Sequence, residues 1–439
     1  MFSGKDPEVL VVGAGPVGLF AALALAKKGV EVRIVDRGVW PCAQSYALAL
    51  HPQSLGLLKE YGLLEAVLDK SRQIRTISVS DAAGHRADVR LGDEASSCLA
   101  VVRQDALESL LERRLEEAGV QVEWRHEVPR LIPGPDHVDA TIDKFEKESR
   151  GYIVAHTEWT IAKSMDLQTP FVIGADGYSS RVRRALKIDF PEVAAPEYYA
   201  VFEFKTDAKF GDEMRVMVGN GATDVLWPLP DGHCRWSFQL PAYRDVEADK
   251  RKAAMESAGF DIPSLRTKER MASYGSTMTD QLDEASLWAL IGERAPWFTG
   301  NIDNLVWHSV IRFERRLATS FGNGRLWLAG DAAHLTGPIG VQSMNAGLHE
   351  ASELAGLMAG VLRNQAPIQS LDAYGQRWGA VWDHLHGIDT TVKAVDGANS
   401  WIAPHAKRLL SCLPAVGAEL APLAAQLGLV VETASAAGV

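Results

Sequence analysis

Gly13, Gly15 and Gly18 stand in the spacing GxGxxG, and Asp36 follows ~20 residues later. Residues of these types at this spacing hold a dinucleotide. Gly13 permits a tight turn, Gly15 lets backbone approach a pyrophosphate, and Gly18 lets helix and strand pack closely. Pro16 sits where a helix would start. Asp36, followed by Arg37, ends the next apolar run, where a carboxylate can accept from a ribose hydroxyl. Two more glycine-and-aspartate clusters lie far along the chain: Asp176–Gly177 with Ser179 and Arg181, and Gly330–Asp331. Each follows a short apolar run. Asp331 either caps the following turn or holds a ligand at the carboxyl edge of a sheet. Arg103 and Gln104 open a helical pattern, as an exposed start or a phosphate contact. Arg183 and Arg184 read as a solvated helix face. His233, Tyr199 and His308 are the side chains that could remove a phenolic proton, with no motif choosing among them.

The elements that position these residues follow from periodicity. Val9–Val12, a helix to Lys28 and Val30–Val35 form strand–turn–helix–strand, the setting the glycine fingerprint needs. A helix is expected from about Pro52 to Lys70, a hairpin over 73–91 turning at Ala83–Gly84, and a helix over Val101–Gly119. Strands are expected at Val120–Trp124, Tyr152–His156 and Phe171–Gly174, with a surface hairpin or loop between the first two. From Tyr198 to Leu240 short alternating runs predict an antiparallel sheet set into a βαβ chain. Phe202, Phe204, Arg215, Trp227 and Phe238 are its candidate substrate-lining residues, since alternation can aim several at one face. Helices near 248–258 and 280–295 and a strand at Leu305–Ile311 follow. Arg325–Ala329 reads as a buried strand, Gln342–Leu362 as a long helix, and the remainder as helical.

The composition excludes several classes. Hydrophobic residues at 47% and charged residues at 23% are ordinary globular values. A net charge of -11, with no long basic run, argues against a nucleic-acid surface. The four cysteines lie in no metal or CxxC pattern and read as reduced thiols, and MFSGKDPE has no apolar signal stretch, so a cytoplasmic protein without metal is expected. Residues 409–431 carry Glu419 alone as a formal charge. Pro414 and Pro422 interrupt the stretch, which reads as a short amphipathic helix packed on the body or on a second copy in a homodimer rather than as a membrane segment.

The motifs GAGPVG, ADG at 175–177 and GDAAHLTGPIGVQSMNAG at 330–347, in this order, resemble those of the class A flavin-dependent aromatic hydroxylases of the para-hydroxybenzoate hydroxylase type. The likeness spans about 1–375. It implies an α/β fold: a Rossmann-like FAD-binding domain of the glutathione reductase type (1–72, 98–190 and 316–375), an inserted antiparallel-sheet substrate domain (73–97 and 191–315) roofing the flavin, and a helical C-terminal segment (376–439). It also implies FAD as cofactor, NADH or NADPH as co-substrate, and O2 with a small phenolic or polycyclic aromatic substrate, hydroxylated through a flavin C4a-hydroperoxide. A reductase of the same fold without oxygen insertion, or an aromatic-binding flavoprotein without turnover, are the alternatives. By the same resemblance Asp331 holds the ribityl and pyrophosphate end of FAD. Arg103 and Gln104 touch the pyrophosphate and ribityl, and Asp176, Gly177 and Arg181 serve FAD and the transient NAD(P)H. The Pro338 carbonyl lies near the site of oxygen transfer. The stretch Gly340, Val341, Gln342, Ser343, Met344 and Asn345 faces the flavin ring. Tyr46 stands where the family has an arginine near the pyrophosphate, and Val341 and Ser343 where it often has glycine.

Overall fold

The structure, a computed structural model, describes residues 6–39, 49–150, 156–219, 221–241, 243, 282–388 and 390–433. Tyr46, most of the 152–156 strand and the helix expected near 248–258 lie outside the described residues. The chain divides into two compact units. The first comprises Met1–Thr76, Val89–Ala195 and Arg315–Val439; the second comprises Ile77–Asp88 and Pro196–Glu314. The C-terminal residues belong to the first unit.

The first unit is built on a six-stranded sheet ordered Gly322–Asn323, Leu326–Leu328, Phe171–Gly174, Val9–Val12, Val32–Asp36, Val122–Trp124. All neighbours but the first pair are parallel. The β-branched strand Val9–Val12 lies centrally and is buried on both faces, as a parallel strand must be. The Pro16–Lys27 helix covers it, with Pro16 at the helix start where its missing N–H costs nothing. The long Gln342–Leu362 helix packs on that helix, and so does Gln104–Glu117. The expected 52–70 helix is two helices, Pro52–Glu60 and Leu64–Asp69. They break at Gly62, whose φ of +69° ends the first.

The 125–151 region decides between the two readings left open: it is a hairpin, His126–Pro133 turning into Val138–Arg150, and not a loop. Long strands Val138–Arg150 and His156–Thr169 pair antiparallel beside His126–Pro133. Val138, Ala140 and Ile142 alternate as a buried face, beyond which Asp, Lys and Glu residues dominate and the register shifts at Lys144/Phe145. The C-terminus, expected to be helical, is not wholly so, because Thr390–Ala394 pairs with Leu429–Thr433. The apolar 409–431 stretch is short helices and that strand. Leu409, Leu413, Leu420 and Ala424 are each at most 1% exposed, so body packing accounts for its composition. Among the described residues no helix is long and apolar enough to cross a membrane.

In the second unit Thr76–Asp81 and Arg86–Arg90 form the expected hairpin, closed by Asp81 and His85. The preceding Arg72–Ile74 instead joins a small sheet in the first unit. Glu192–Lys205, Ala222–Pro228 and Glu213–Gly219 extend an antiparallel sheet around His233–Gln239. The Glu284–Arg294 helix, its N-terminus capped by Asp283, lays Leu287 and Ile291 on one face of that sheet.

Candidate active site

In a parallel sheet all strands end at one edge, and ligands bind there. Three adjacent strands carry the three motifs at that edge: Leu328 runs into Gly330–Asp331, Gly174 into Asp176–Gly177, and Val12 into Gly13–Gly15. Asp36 ends the next strand. At ~4.8 Å between strands the four turns form a continuous row. The ladder carries on into the motifs, with Gly13 N–H donating to the Val35 carbonyl (2.8 Å) and Ala175 N–H to that of Val12 (2.8 Å).

The turns also touch. A Cβ on Gly13 would stand 2.2 Å from the Ala175 carbonyl oxygen, and one on Gly18 would stand 1.9 Å from the Gly13 carbonyl. Val17 wedges between the third motif's Gly330 and Gly347; a Cβ on Gly347 would meet it at 2.6 Å. Around Gly15 and Gly177, by contrast, there is open space. Beside this edge lies a small open cleft lined by Gly13, Asp36, Arg37, Glu127, Asp176 and Arg181 among others.

Each carboxylate of the row is anchored. Asp36 accepts from the N–H groups of Ala14 (2.8 Å) and Gly38 (2.5 Å), binding its strand end to the glycine turn. Asp176 Oδ2 accepts from Arg181 N–H (2.6 Å), whereas its buried Oδ1 meets no hydrogen-bond partner among the described residues. Burial pushes this carboxyl above its ordinary range, against the pull of the Ser180 hydroxyl and nearby amides. Arg181 pairs with Glu127 at 2.6 Å, and Arg37 donates to Ser179 Oγ at 3.0 Å. Arg103 takes the position before the first turn of Gln104–Glu117, and Gln104 donates to Glu108 at 2.6 Å.

Ser343 Oγ donates to Asp331 Oδ1 at 2.6 Å and lies 3.3 Å from His334 Nδ1. His334 stacks on Trp382 at 3.8 Å, and its Nε2 lies 2.9 and 3.0 Å from the two oxygens of Glu350. Glu350 also accepts from Gly330 N–H (2.7 Å) and Trp382 Nε1 (2.9 Å). Gly340 abuts the C-terminal segment, where Gln342 Nε2 donates to the Leu413 carbonyl at 3.3 Å. Pro338 is half-buried, while Met344 and Asn345 are buried. Val341 has φ +50°, the left-handed region where glycine is usual.

Sequence reasoning missed four of these residues. Arg183 is no solvated side chain. It is buried, donates to the Ala332 carbonyl (2.7 Å) and the Tyr178 carbonyl (2.5 Å), and so ties the second motif to the third. His51, His334 and Glu350 were not singled out. A carboxylate at position 350 among the buried Ala346, Gly347, Ala351 and Leu354 was the available signal.

The chain matches the FAD binding domain family over residues 6–385. It belongs to this family, among the class A flavoprotein aromatic hydroxylases. It is 28% identical over 416 residues to 6-methylpretetramide 4-monooxygenase of Streptomyces rimosus, which covers 93% of this chain and 66% of that one. Pentachlorophenol 4-monooxygenase of Sphingobium chlorophenolicum is 25% identical over 380 residues, 84% of this chain and 61% of that one. The fold of p-nitrophenol 4-monooxygenase from Pseudomonas putida superposes with a TM-score of 0.65 at 19% identity, covering 96% of this flavoprotein and 93% of the other chain. The chain spans about half to two thirds of the length of the curated relatives it matches. The residues of this flavoprotein fit FAD. An orphaned carboxylate oxygen, open space at Gly15, and two helix N-termini without a side-chain cap or first-turn acid meet along one edge.

The second unit of the flavoprotein separates the expected lining residues. The register pairs Phe202 with Trp236, Ala200 with Phe238 and Arg215 with Leu226. These share the face covered by the Glu284–Arg294 helix, so Phe202, Phe204 and Phe238 are core residues there. Arg215 lies over Trp297 at 4.1 Å and pairs with Glu213. Tyr199 and Trp227 face the other way, with Tyr199 edge-on to Phe313. His233 pairs with Lys205 and Tyr199 with Gln239, six residues apart along the ladder or ~20 Å, so the two cannot serve one proton. His308 is exposed on its strand.

Proposed function

We propose that this chain is an FAD-dependent monooxygenase that consumes NAD(P)H and O2 to hydroxylate a phenolic or polycyclic aromatic substrate. The observation that carries the reading is the convergence of three distant glycine-and-aspartate turns on one sheet edge, within a chain that matches the FAD binding domain family. When bound, FAD accepts hydride and activates O2; the protein supplies binding, orientation and electrostatics. The amides at the start of Pro16–Lys27 hold the pyrophosphate, and Asp36 the adenosine ribose. Asp331, oriented by Ser343, accepts from ribityl hydroxyls. The orphan oxygen of Asp176 takes a donor from FAD or NAD(P)H. The N-terminus of Gln342–Leu362 sets its partial positive charge against the ring edge that turns anionic on reduction.

Relatives are named for fused-ring substrates, 6-methylpretetramide and anhydrotetracycline, and for the single-ring pentachlorophenol, so both classes belong in the test. Tyr199 and Trp227, on the sheet face away from the helix, are buried as well, at 2% and 1% exposure, so neither is favoured as a substrate contact. The test is to purify the protein with its flavin and screen simple and fused-ring phenols for accelerated NAD(P)H oxidation under labelled O2. One labelled oxygen atom in the product supports the proposal. Accelerated oxidation with no label in any product and no hydrogen peroxide released identifies a reductase instead.

A further inference from the structure

His51 precedes the Pro52–Glu60 helix and is 1% exposed. Its ring Nε2 lies 2.8 Å from the Gly340 carbonyl, and its backbone N–H donates to Asn345 Oδ1 at 2.7 Å. Asn345 Nδ2 in turn donates to the carbonyls of Val341 (2.7 Å) and Ala49 (2.9 Å). The carbonyls on both sides of Val341 are therefore pinned, one by His51 and one by Asn345. Gly340 oxygen can only accept, so the ring carries its proton on Nε2, and Nδ1 is buried with no partner among the described residues. Burial lowers His51 to about 3, which keeps the ring neutral and the donor in place at neutral pH.

The pinning has a directional consequence. The described peptides are trans, and a planar trans peptide points its N–H opposite to its C=O. The N–H groups of Val341 and Gln342 therefore point away from His51 and Asn345. Among the described residues neither meets an acceptor. A left-handed residue followed by a helical one makes these amides converge into a nest for negative charge. Val341 takes that conformation against a cost of ~1–2 kcal/mol for a residue bearing a Cβ.

We propose that His51 is a positioning residue: with Asn345 it holds Val341 left-handed and so aims two amides at the reduced FAD ring. This rests on the FAD reading above. The experiment uses the full chain loaded with FAD and measures the flavin midpoint potential, with FAD dissociation read by fluorescence. His51→Leu removes the donor. Reduced FAD should then bind about tenfold less tightly relative to oxidised FAD, a fall of ~30 mV for a two-electron couple. His51→Gln, which still reaches Gly340 with an N–H, should stay near the parent potential. Val341→Gly placed in the His51→Leu background should recover the potential, because glycine takes the left-handed conformation freely. A general loss of packing would not be recovered this way. Should His51→Leu not fold, His51→Asn, whose shorter amide falls short of Gly340, must lower the potential in the same sense. An unchanged potential in FAD-loaded His51→Leu, or a fall that Val341→Gly leaves in place, overturns the inference. A parent protein that never takes up FAD overturns the FAD reading instead.

Discussion

Arg183 carries more of the site than its place on a five-residue basic helix suggests. Its guanidinium fork spans the Ala332 and Tyr178 carbonyls while lying 3.9 Å over the Phe190 ring. Burial lowers it to about 10, still cationic at neutral pH. Arg183→Ala leaves two carbonyls unpaired, at roughly 1–3 kcal/mol for each buried group. The expected result is a loss of about 2–6 kcal/mol in urea unfolding together with weaker FAD binding. Arg183→Lys should not restore either, since a point charge cannot replace a fork. Unchanged FAD affinity in Arg183→Ala would show that the two loops align without it. A second prediction belongs to Asp224 in the other unit, which accepts from Gln239 N–H and pairs with Arg294 at 3.2 Å. Burial outweighs that partner and pushes its carboxyl up to about 6. A carboxyl raised on folding holds its proton more tightly in the native state. Its contribution is therefore fully present below about pH 4 and lost as pH rises through about 6, by ~3 kcal/mol at most. Asp224→Asn should flatten that part of the stability–pH curve measured by urea midpoints.

At the scale of elements, the contact between the Pro16–Lys27 and Gln342–Leu362 helices sets the distance between the first and third motifs. Val17 fills it against Gly330 and Gly347. Gly347→Ala puts a Cβ 2.6 Å from Val17 Cγ2 and 3.1 Å from Gly330 Cα, so one helix must move. We expect a loss of about 1–3 kcal/mol and weaker FAD binding. Gly379→Ala, in the Ser370–Leu385 helix with nothing within 4 Å, should instead gain up to ~1 kcal/mol from helix propensity. Thermal unfolding of the two variants should shift in opposite directions. The strands and helices that bear motifs were legible because their signals are local: Phe171–Gly174 and Gln342–Leu362 fall where periodicity predicts. The 126–169 sheet was legible only as a possible hairpin, because the buried alternation of Val138, Ala140 and Ile142 gives way to a mostly charged run from Asp143 to Arg150. Within the site, the glycines and Asp36, Asp176 and Asp331 were legible from spacing. Arg183, His51 and Glu350 were not, because each acts across 149 or more residues or, for Glu350, through a backbone N–H 20 residues away. The lining residues failed for a related reason: alternation puts Phe202, Phe204 and Phe238 on one face, and only the Glu284–Arg294 helix reveals that the face is core.

At the scale of the whole chain, each unit holds its own buried core, but the row of motif turns belongs to the first unit alone. That unit leaves unmet needs at its sheet edge: the Asp176 Oδ1 atom, two helix N-termini without side-chain caps, and a left-handed Val341. A ligand that answers them binds the folded state and not the unfolded one, so it stabilises by mass action. Removing FAD should therefore lower the unfolding free energy by about 2.7 kcal/mol relative to FAD at 100 times its dissociation constant. The loss should concentrate where the motifs sit. Amides of Val9–Val12, Phe171–Gly174 and the first turns of Pro16–Lys27 and Gln342–Leu362 should exchange faster in the apoprotein. Those of Ala222–Pro228 and His233–Gln239, in a sheet with its own Trp236–Phe238 stack at 4.7 Å, should change far less. Hydrogen exchange on matched apo and FAD-loaded samples separates the cases. If FAD protected both sets of amides equally, its stabilisation would be a property of the whole chain, and the edge row would not be its principal anchor.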